Sequence, residues 1–285
     1  MDYSKLRGYF FLNNKYIKAS KANIHILNHS LHFSGSVFEG IRVYNGIPFL
    51  LGKHLKRLLC SCDLMKLHIN LSIDEISRII FTLIKKNKIR DGYIRPIIFR
   101  DSKSMSPDIS GCESQIFIAI WNWKLLFKDK PKISLTVGKL KKMDQRFFPV
   151  KAKTSGSYQG SIIEKYNATL KGFDDALMLD SNNNIAETTA CNIFWYKNKK
   201  VFTPKTHSIL NGITRQIVMK ILKKNKIECI VGNFKRSHIM NADEVFITGT
   251  ASEVVGISKI DEKKYTKNDI VIFLKDEFDK LKNLS

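Results

Sequence analysis

The segment Ala152-Lys153-Thr154-Ser155-Gly156-Ser157-Tyr158-Gln159-Gly160-Ser161 sets one lysine in a Gly/Ser-rich entry to a helical stretch. Further along, Ile185-Ala186-Glu187-Thr188-Thr189-Ala190-Cys191-Asn192 carries a lone carboxylate among apolar and small residues. A lysine amine condenses with an aldehyde, and a carboxylate keeps a pyridine nitrogen protonated so that the ring draws electrons. Those are the two groups that pyridoxal phosphate (PLP) chemistry asks of a protein. In a chain with 48 lysines and arginines, one lysine alone is more simply a solvated charge, so other segments must decide.

Two glycine-marked turns offer places for a phosphate. Leu210-Asn211-Gly212-Ile213-Thr214-Arg215 opens a helix, whose free N–H groups and positive dipole end suit an anion. Thr248-Gly249-Thr250-Ala251-Ser252 follows a short apolar strand and supplies hydroxyls and amides. Either turn alone is a weak sign, and a Gly-Ile-Thr helix start is more often just an ordinary cap. Neither fits the phosphate loop of nucleotide enzymes or the dinucleotide fingerprint, which argues against those sites.

The elements that must position these groups fall into two parts, an α/β (α+β) organisation. In the first, Gly8 to Ala19 predicts a hairpin turning at Asn13-Asn14, and Ile47 to Leu51 a short strand. Helical spacing runs over His54 to Lys66. Ser72-Ile73-Asp74-Glu75 has capping-box form ahead of Ile76, Ile79, Ile80, Leu83 and Ile84, and strands follow at Tyr93 to Phe99 and Gln115 to Trp121. The polar, proline-bearing stretch 128–132 reads as a linker, leaving a small domain over 1–127 and a larger, cofactor-binding one over 133–285. The second part predicts strands at Ile133 to Val137, Ala176 to Asp180, Asn192 to Tyr196, Cys229 to Val231 and Val245 to Thr248. Its helices are expected over Ser155 to Lys171, Ile213 to Lys224 and Ile270 to Leu281.

Composition narrows the classes. No apolar run approaches the ~20 residues that span a bilayer, and the first residues lack the apolar stretch of a signal peptide. Five scattered cysteines with no CxxC pair predict a reduced, cytoplasmic protein with no metal site. The net charge of +22 raises nucleic-acid binding as an alternative. The basic runs lie far apart, however: Lys85-Lys86-Asn87-Lys88 and Lys223-Lys224-Asn225-Lys226 end helical patterns, Lys197-Asn198-Lys199-Lys200 sits in a hairpin turn, and Lys139-Leu140-Lys141-Lys142 stands alone. That spread reads as solvated surface charge, with no nucleic acid and no membrane as partner.

Taken in order, these blocks resemble the class IV, fold-type IV PLP-dependent aminotransferases, and among them most closely the branched-chain amino acid aminotransferases. The likeness runs from about Tyr9 to about Ile257. His29-Ser30-Leu31-His32-Phe33-Ser34-Gly35-Ser36-Val37-Phe38-Glu39-Gly40-Ile41-Arg42 is similar to the family's N-terminal signature, and His54-Leu55-Lys56-Arg57-Leu58 to the block whose arginine grips the cofactor phosphate. Tyr93-Ile94-Arg95-Pro96 resembles a block of the branched-chain members rather than of the D-amino acid ones. The resemblance implies a two-domain architecture with the cofactor at the domain interface, and self-association in which a partner subunit lends residues to each site. It implies Lys153 as Schiff-base lysine and proton carrier, and Glu187 beside the ring nitrogen. Arg57, Tyr158, Gly212, Ile213, Thr214, Gly249 and Thr250 are the implied remaining cofactor contacts.

The implied reaction is ping-pong transamination of leucine, isoleucine or valine with 2-oxoglutarate, giving branched 2-oxo acids and L-glutamate. Substrate-binding roles fall to Phe33, Phe38, Gly40, Arg42 and Tyr93, and to Arg95, Trp123, Tyr158, Thr250 and Ala251. Two positions depart from well-known bacterial members, where Phe33 and Leu126 would each be tyrosine. Arg95 is left as the main group for glutamate's side-chain carboxylate. A D-amino acid aminotransferase or an aminodeoxychorismate lyase would keep Lys153 and Glu187 as well; the Tyr93 block speaks against both.

Overall fold

A computed structural model describes residues 2–283. The chain forms two compact units. The first runs as far as Lys124 and takes in Ala152–Gly156 as well; the second holds Leu125–Lys151 and the chain from Ser157 on.

In the first unit β1 (Tyr9–Leu12) and β2 (Lys15–Lys18) form the expected hairpin, with Asn13 and Asn14 at positive φ as its tight turn requires. Then come α1 (His29–Phe33), β3 (Val37–Phe38), β4 (Ile41–Tyr44), β5 (Ile47–Pro48), α2 (Leu51–Leu64), α3 (Ile73–Lys86), β6 (Gly92–Arg100) and β7 (Ser114–Asn122). The strands make one sheet in the order β2-β1-β7-β6-β4-β5, with β3 also on β6. Ser72 and Glu75 form the reciprocal cap that starts α3. The strand expected to reach Leu51 is shorter, because Leu50 turns into the left-handed region and α2 begins directly after it.

Period two decides which residues do what in this sheet. Ile41, Ile94, Ile98, Ile116, Ile118 and Ile120 pack with Leu55, Leu58, Ile76, Ile80 and Leu83 from α2 and α3 as one core. Alternate residues, Arg42 on β4 and Tyr93 and Arg95 on β6, point to the other face, and Arg42 is paired with Tyr93 in register.

In the second unit the elements are β8 (Lys132–Lys142), α4 (Gln159–Leu170), β9 (Asp175–Asp180), β10 (Ile185–Thr188), β11 (Asn192–Lys197), β12 (Lys200–Pro204), α5 (Ile213–Lys224), β13 (Cys229–Gly232), α6 (Arg236–Met240), β14 (Glu244–Gly249), β15 (Glu253–Ile260), β16 (Lys263–Lys264) and α7 (Asp269–Asn283). Its sheet runs β10-β9-β8-β15-β14-β11-β12-β13, mixing parallel and antiparallel pairs. The core gathers Leu135, Leu177, Ile193, Trp195, Ile247 and Ile257. Two sequence readings need correction. The helix expected from Ser155 starts at Gln159, after a 3-10 turn over Gly156–Tyr158, because Ser155 is tied to the chain ahead of β3: its amide donates to Ser36 O at 3.0 Å and its hydroxyl to Ser34 O at 2.8 Å. Glu187 sits in the buried strand β10, which is missing from the expected strands; it is four residues long and pairs with β9 through a register shift, so it leaves no alternation to read. Among the described residues no helix is long and apolar enough to cross a membrane.

Candidate active site

The first unit gathers Lys153 with most of the expected substrate residues. Thr154 pairs with Val37 as an isolated antiparallel bridge, so residues 152–156 lie beside β3. The Lys153 carbonyl accepts from Phe38 N at 3.0 Å, and its amide donates to Ser61 Oγ at 3.0 Å. Ser61, fully buried on α2, in turn donates to the Arg57 carbonyl at 2.8 Å. With both backbone groups fixed, the Lys153 ammonium stands 4.8 Å from the Phe38 ring centroid.

Arg95 lies over the same ring at 4.8 Å and over Tyr93 at 5.4 Å, and its Nη2 donates to the Tyr93 hydroxyl at 3.3 Å. The Tyr93 ring meets Trp123 edge-on at 4.8 Å, and Arg42 donates to the Trp123 carbonyl at 2.7 Å. A Cβ on Gly40 would come within 1.7 Å of the Tyr93 hydroxyl, so only glycine leaves room for that tyrosine. Phe33 is placed differently from this cluster: it is 43 % exposed at the end of α1, its ring 4.8 Å from that of His29.

Arg57 is held from below. Glu39, fully buried, accepts from Arg57 Nε at 2.5 Å and Nη2 at 2.9 Å, and from His54 Nδ1 at 2.8 Å. Burial alone would raise the Glu39 carboxyl; the His54 bond and the Arg57 charge outweigh it and bring it down to about 2. Burial lowers His54, against a partly offsetting pull from Glu39, so the imidazole is neutral. An ionised carboxylate only accepts, which makes Nδ1 the protonated nitrogen of His54. Arg57 Nη1 is buried with no hydrogen-bond partner among the described residues. Clamped on one edge, the guanidinium has a donor left for an anion.

In the second unit everything converges on Asn192. Its Nδ2 donates to Glu187 Oε2 at 3.0 Å and to Leu210 O at 2.9 Å, and its residue pairs in register with Thr248. A Cβ on Gly212 would meet Asn192 Oδ1 at 2.2 Å. Glu187 and the two glycine-marked turns are thereby drawn together. Among the described residues no side chain caps the start of α5 at Ile213 and Thr214, and Thr248 Oγ1 is buried without a partner. A Cβ on Gly249 would lie 2.9 Å from Cys191 Sγ, so the turn passes close to Cys191 only with glycine there. Leu126, half exposed, donates its amide to Ala251 O at 2.9 Å. Tyr158 is half-buried where the 3-10 turn meets α4.

Residues 36–260 match the family described as Amino-transferase class IV. The chain belongs to the class IV aminotransferases. It is 39 % identical, over 264 residues, to a probable branched-chain-amino-acid aminotransferase of Rickettsia felis, covering 91 % of this chain and 90 % of that one. The crystal structure of the Escherichia coli branched-chain amino acid aminotransferase superposes with a TM-score of 0.93 at 29 % identity, covering 97 % of this chain and 95 % of that one. The branched-chain amino acid aminotransferase of Thermobaculum terrenum, in its PLP-form, gives 0.89 at 25 % identity, covering 97 % and 94 %. The fold-type IV architecture is therefore the one this class IV aminotransferase adopts, and PLP dependence belongs to the class.

Four side chains of this aminotransferase carry parts of the site that sequence reasoning did not assign: Glu39, His54, Asn192 and Ser61. His54 and Arg57 are three apart on one helix, the spacing that puts them side by side. Glu39 and Ser61 carry no such sign, because their partners are joined only when β3 and residues 152–156 meet α2.

Proposed function

We propose that this aminotransferase exchanges amino groups between branched-chain L-amino acids and 2-oxoglutarate, using PLP. The observation that carries the reading is the Lys153 amine, set by a fully bonded backbone beside Phe38, Arg95 and Tyr93 in a class IV chain. The residues present fit the cofactor. The unpartnered Arg57 Nη1, the uncapped start of α5 and the Thr248–Thr250 turn are donors that suit a phosphate ester. Glu187 is a buried carboxylate suited to a ring N–H.

When bound, PLP supplies an aldehyde that takes up the amino group and a protonated ring that draws electron density from Cα. Lys153 Nζ would be the amine that holds the cofactor and, when free, the base that would move the proton at substrate Cα. Glu187 would accept a hydrogen bond from the ring N–H. In the first unit Arg57, and in the second Gly212, Ile213, Thr214, Gly249 and Thr250, each offer donors that would suit the phosphate, and Tyr158 would be a further cofactor contact. Phe38 and Trp123 give the aliphatic side chain an apolar wall, while Arg95 meets the second carboxylate of glutamate. Gly40, Arg42, Tyr93 and Ala251 shape the rest. Branched side chains gain ~0.8 kcal/mol per buried CH₂.

Self-association is part of the proposal. Ile24, Ile26, Leu27, Leu31 and Phe33 of the first unit are all exposed, an apolar set that a second subunit would cover. The five cysteines are free thiols, in keeping with a cytoplasmic enzyme.

Borohydride reduction of the PLP-loaded enzyme, followed by peptide mapping, should place the pyridoxyl label on Lys153, and the cofactor's visible band should shift with L-leucine and be restored by 2-oxoglutarate. A label on Lys151, or a response to D-alanine in place of L-leucine, would overturn the reading. Lys153→Ala should lose at least ~10²–10⁴-fold in turnover.

A further inference from the structure

The basic run at the end of β8 is not all surface charge. Lys139 and Lys141 are exposed, but Lys142 turns inward. Its Nζ lies 2.8 Å from Glu187 Oε1, with the two side chains only 12 % and 9 % exposed, and it also donates to Ser161 Oγ at 3.2 Å. The other carboxylate oxygen, Oε2, takes the Asn192 amide. Glu187 is thus gripped on both oxygens before any ligand is considered. A second cation on α5, Arg215, lies within electrostatic reach of Glu187. Its nitrogens, however, are engaged by Thr203 Oγ1, Asn211 Oδ1 and Pro204 O.

A proton shared between a buried carboxylate and a pyridine nitrogen has two resting places. Burial favours the neutral pair, with the proton on the carboxylate, because both charges of the alternative lose their hydration. A cation nearer the carboxylate than the ring reverses that preference, since Coulomb attraction falls with distance while the ring's charge is opposed less than the carboxylate's is supported. Lys142 is such a cation. We propose that Lys142 is a positioning residue that keeps the shared proton on the cofactor's ring nitrogen by holding Glu187 ionised. The inference rests on Glu187 being the ring's partner, as proposed above.

The test loads the enzyme with PLP carrying ¹⁵N in the pyridine ring and reads that nitrogen by NMR. The parent should give the pyridinium signal. Lys142→Met should move it toward neutral pyridine, and Lys142→Arg should leave it with the parent. Lys142→Gln, which keeps a donor for Ser161, stands in where the methionine variant fails to fold. The first half-turnover with L-leucine should slow at least about tenfold in the uncharged variants, the equivalent of one pKa unit on the ring. An unchanged pyridinium signal in Lys142→Met and Lys142→Gln overturns the proposal. Glu187→Gln separates the two failures. If it shifts the signal while the uncharged Lys142 variants do not, only the role of Lys142 is wrong. If it leaves the signal unmoved, the ring has another partner, and the site reading falls together with this inference.

Discussion

Replacing Glu39 by glutamine removes the charge that holds Arg57 and His54, and the structure sets the size of the effect. A carboxyl held at about 2 rather than its ordinary 4.5 is stabilised in the folded state. At 1.36 kcal/mol per tenfold, that difference is about 3 kcal/mol. A separate argument gives a similar figure: breaking a buried pair strands the other charge, at about 3–5 kcal/mol. The sign follows from the lowered value. The contribution is present above 4.5 and is lost as pH falls through about 2, below which folded and unfolded carboxyls are both protonated. Because a two-unit chain need not unfold in one step, the assay should report on the first unit alone. Hydrogen exchange of the α2 amides does so. Glu39→Gln should lower their protection by about 3 kcal/mol at neutral pH, with the gap closing under acid. A loss below about 1 kcal/mol, or a gap that ignores pH, would refute the reasoning.

Three further outcomes are expected. Arg57→Ala should weaken PLP binding by about 1.5–3 kcal/mol, read by fluorescence titration, with turnover restored by excess cofactor. Gly212→Ala keeps an unstrained backbone but drives a methyl to 2.2 Å from Asn192 Oδ1. Asn192 must then release Glu187 or Leu210, and thermal unfolding should show a loss of about 1–3 kcal/mol. Arg95→Ala should slow the 2-oxoglutarate half-reaction far more than the L-leucine one, since a second carboxylate left unpaired costs several kcal/mol; equal damage to both would assign Arg95 to the shared α-carboxylate instead.

Much of this frame is legible because local signals and tertiary demands agree. The capping box at Ser72 and Glu75 fixes α3, Gly212 fixes the start of α5, and Asn13-Asn14 the first hairpin. On β6 and β7, Ile94, Ile98, Ile116, Ile118 and Ile120 alternate into the core, leaving Tyr93 and Arg95 on the other face. The family likeness of ordered blocks, not any single motif, singles out Lys153 and Glu187. What stays hidden depends on juxtaposition or irregularity. β15 begins at Glu253 with φ 56, a conformation no strand pattern announces. Lys142 is indistinguishable from its neighbours until β8 carries it to β10, because a lysine's role depends on what it faces. Glu39 and His54 are fifteen residues apart and meet only in the folded unit.

The five residues Ala152–Gly156 belong to the first unit although the chain on both sides of them belongs to the second. The polypeptide therefore changes unit three times, and the division between the units is not a place where the gene could be cut. A fragment ending at Lys124 would lack its lysine, and the edge of β3 would be bare where Thr154 pairs with Val37. Unpaired strand edges invite pairing with other chains. Such a fragment should be inactive and prone to aggregation, and a synthetic peptide spanning 150–158 is the reagent to complement it.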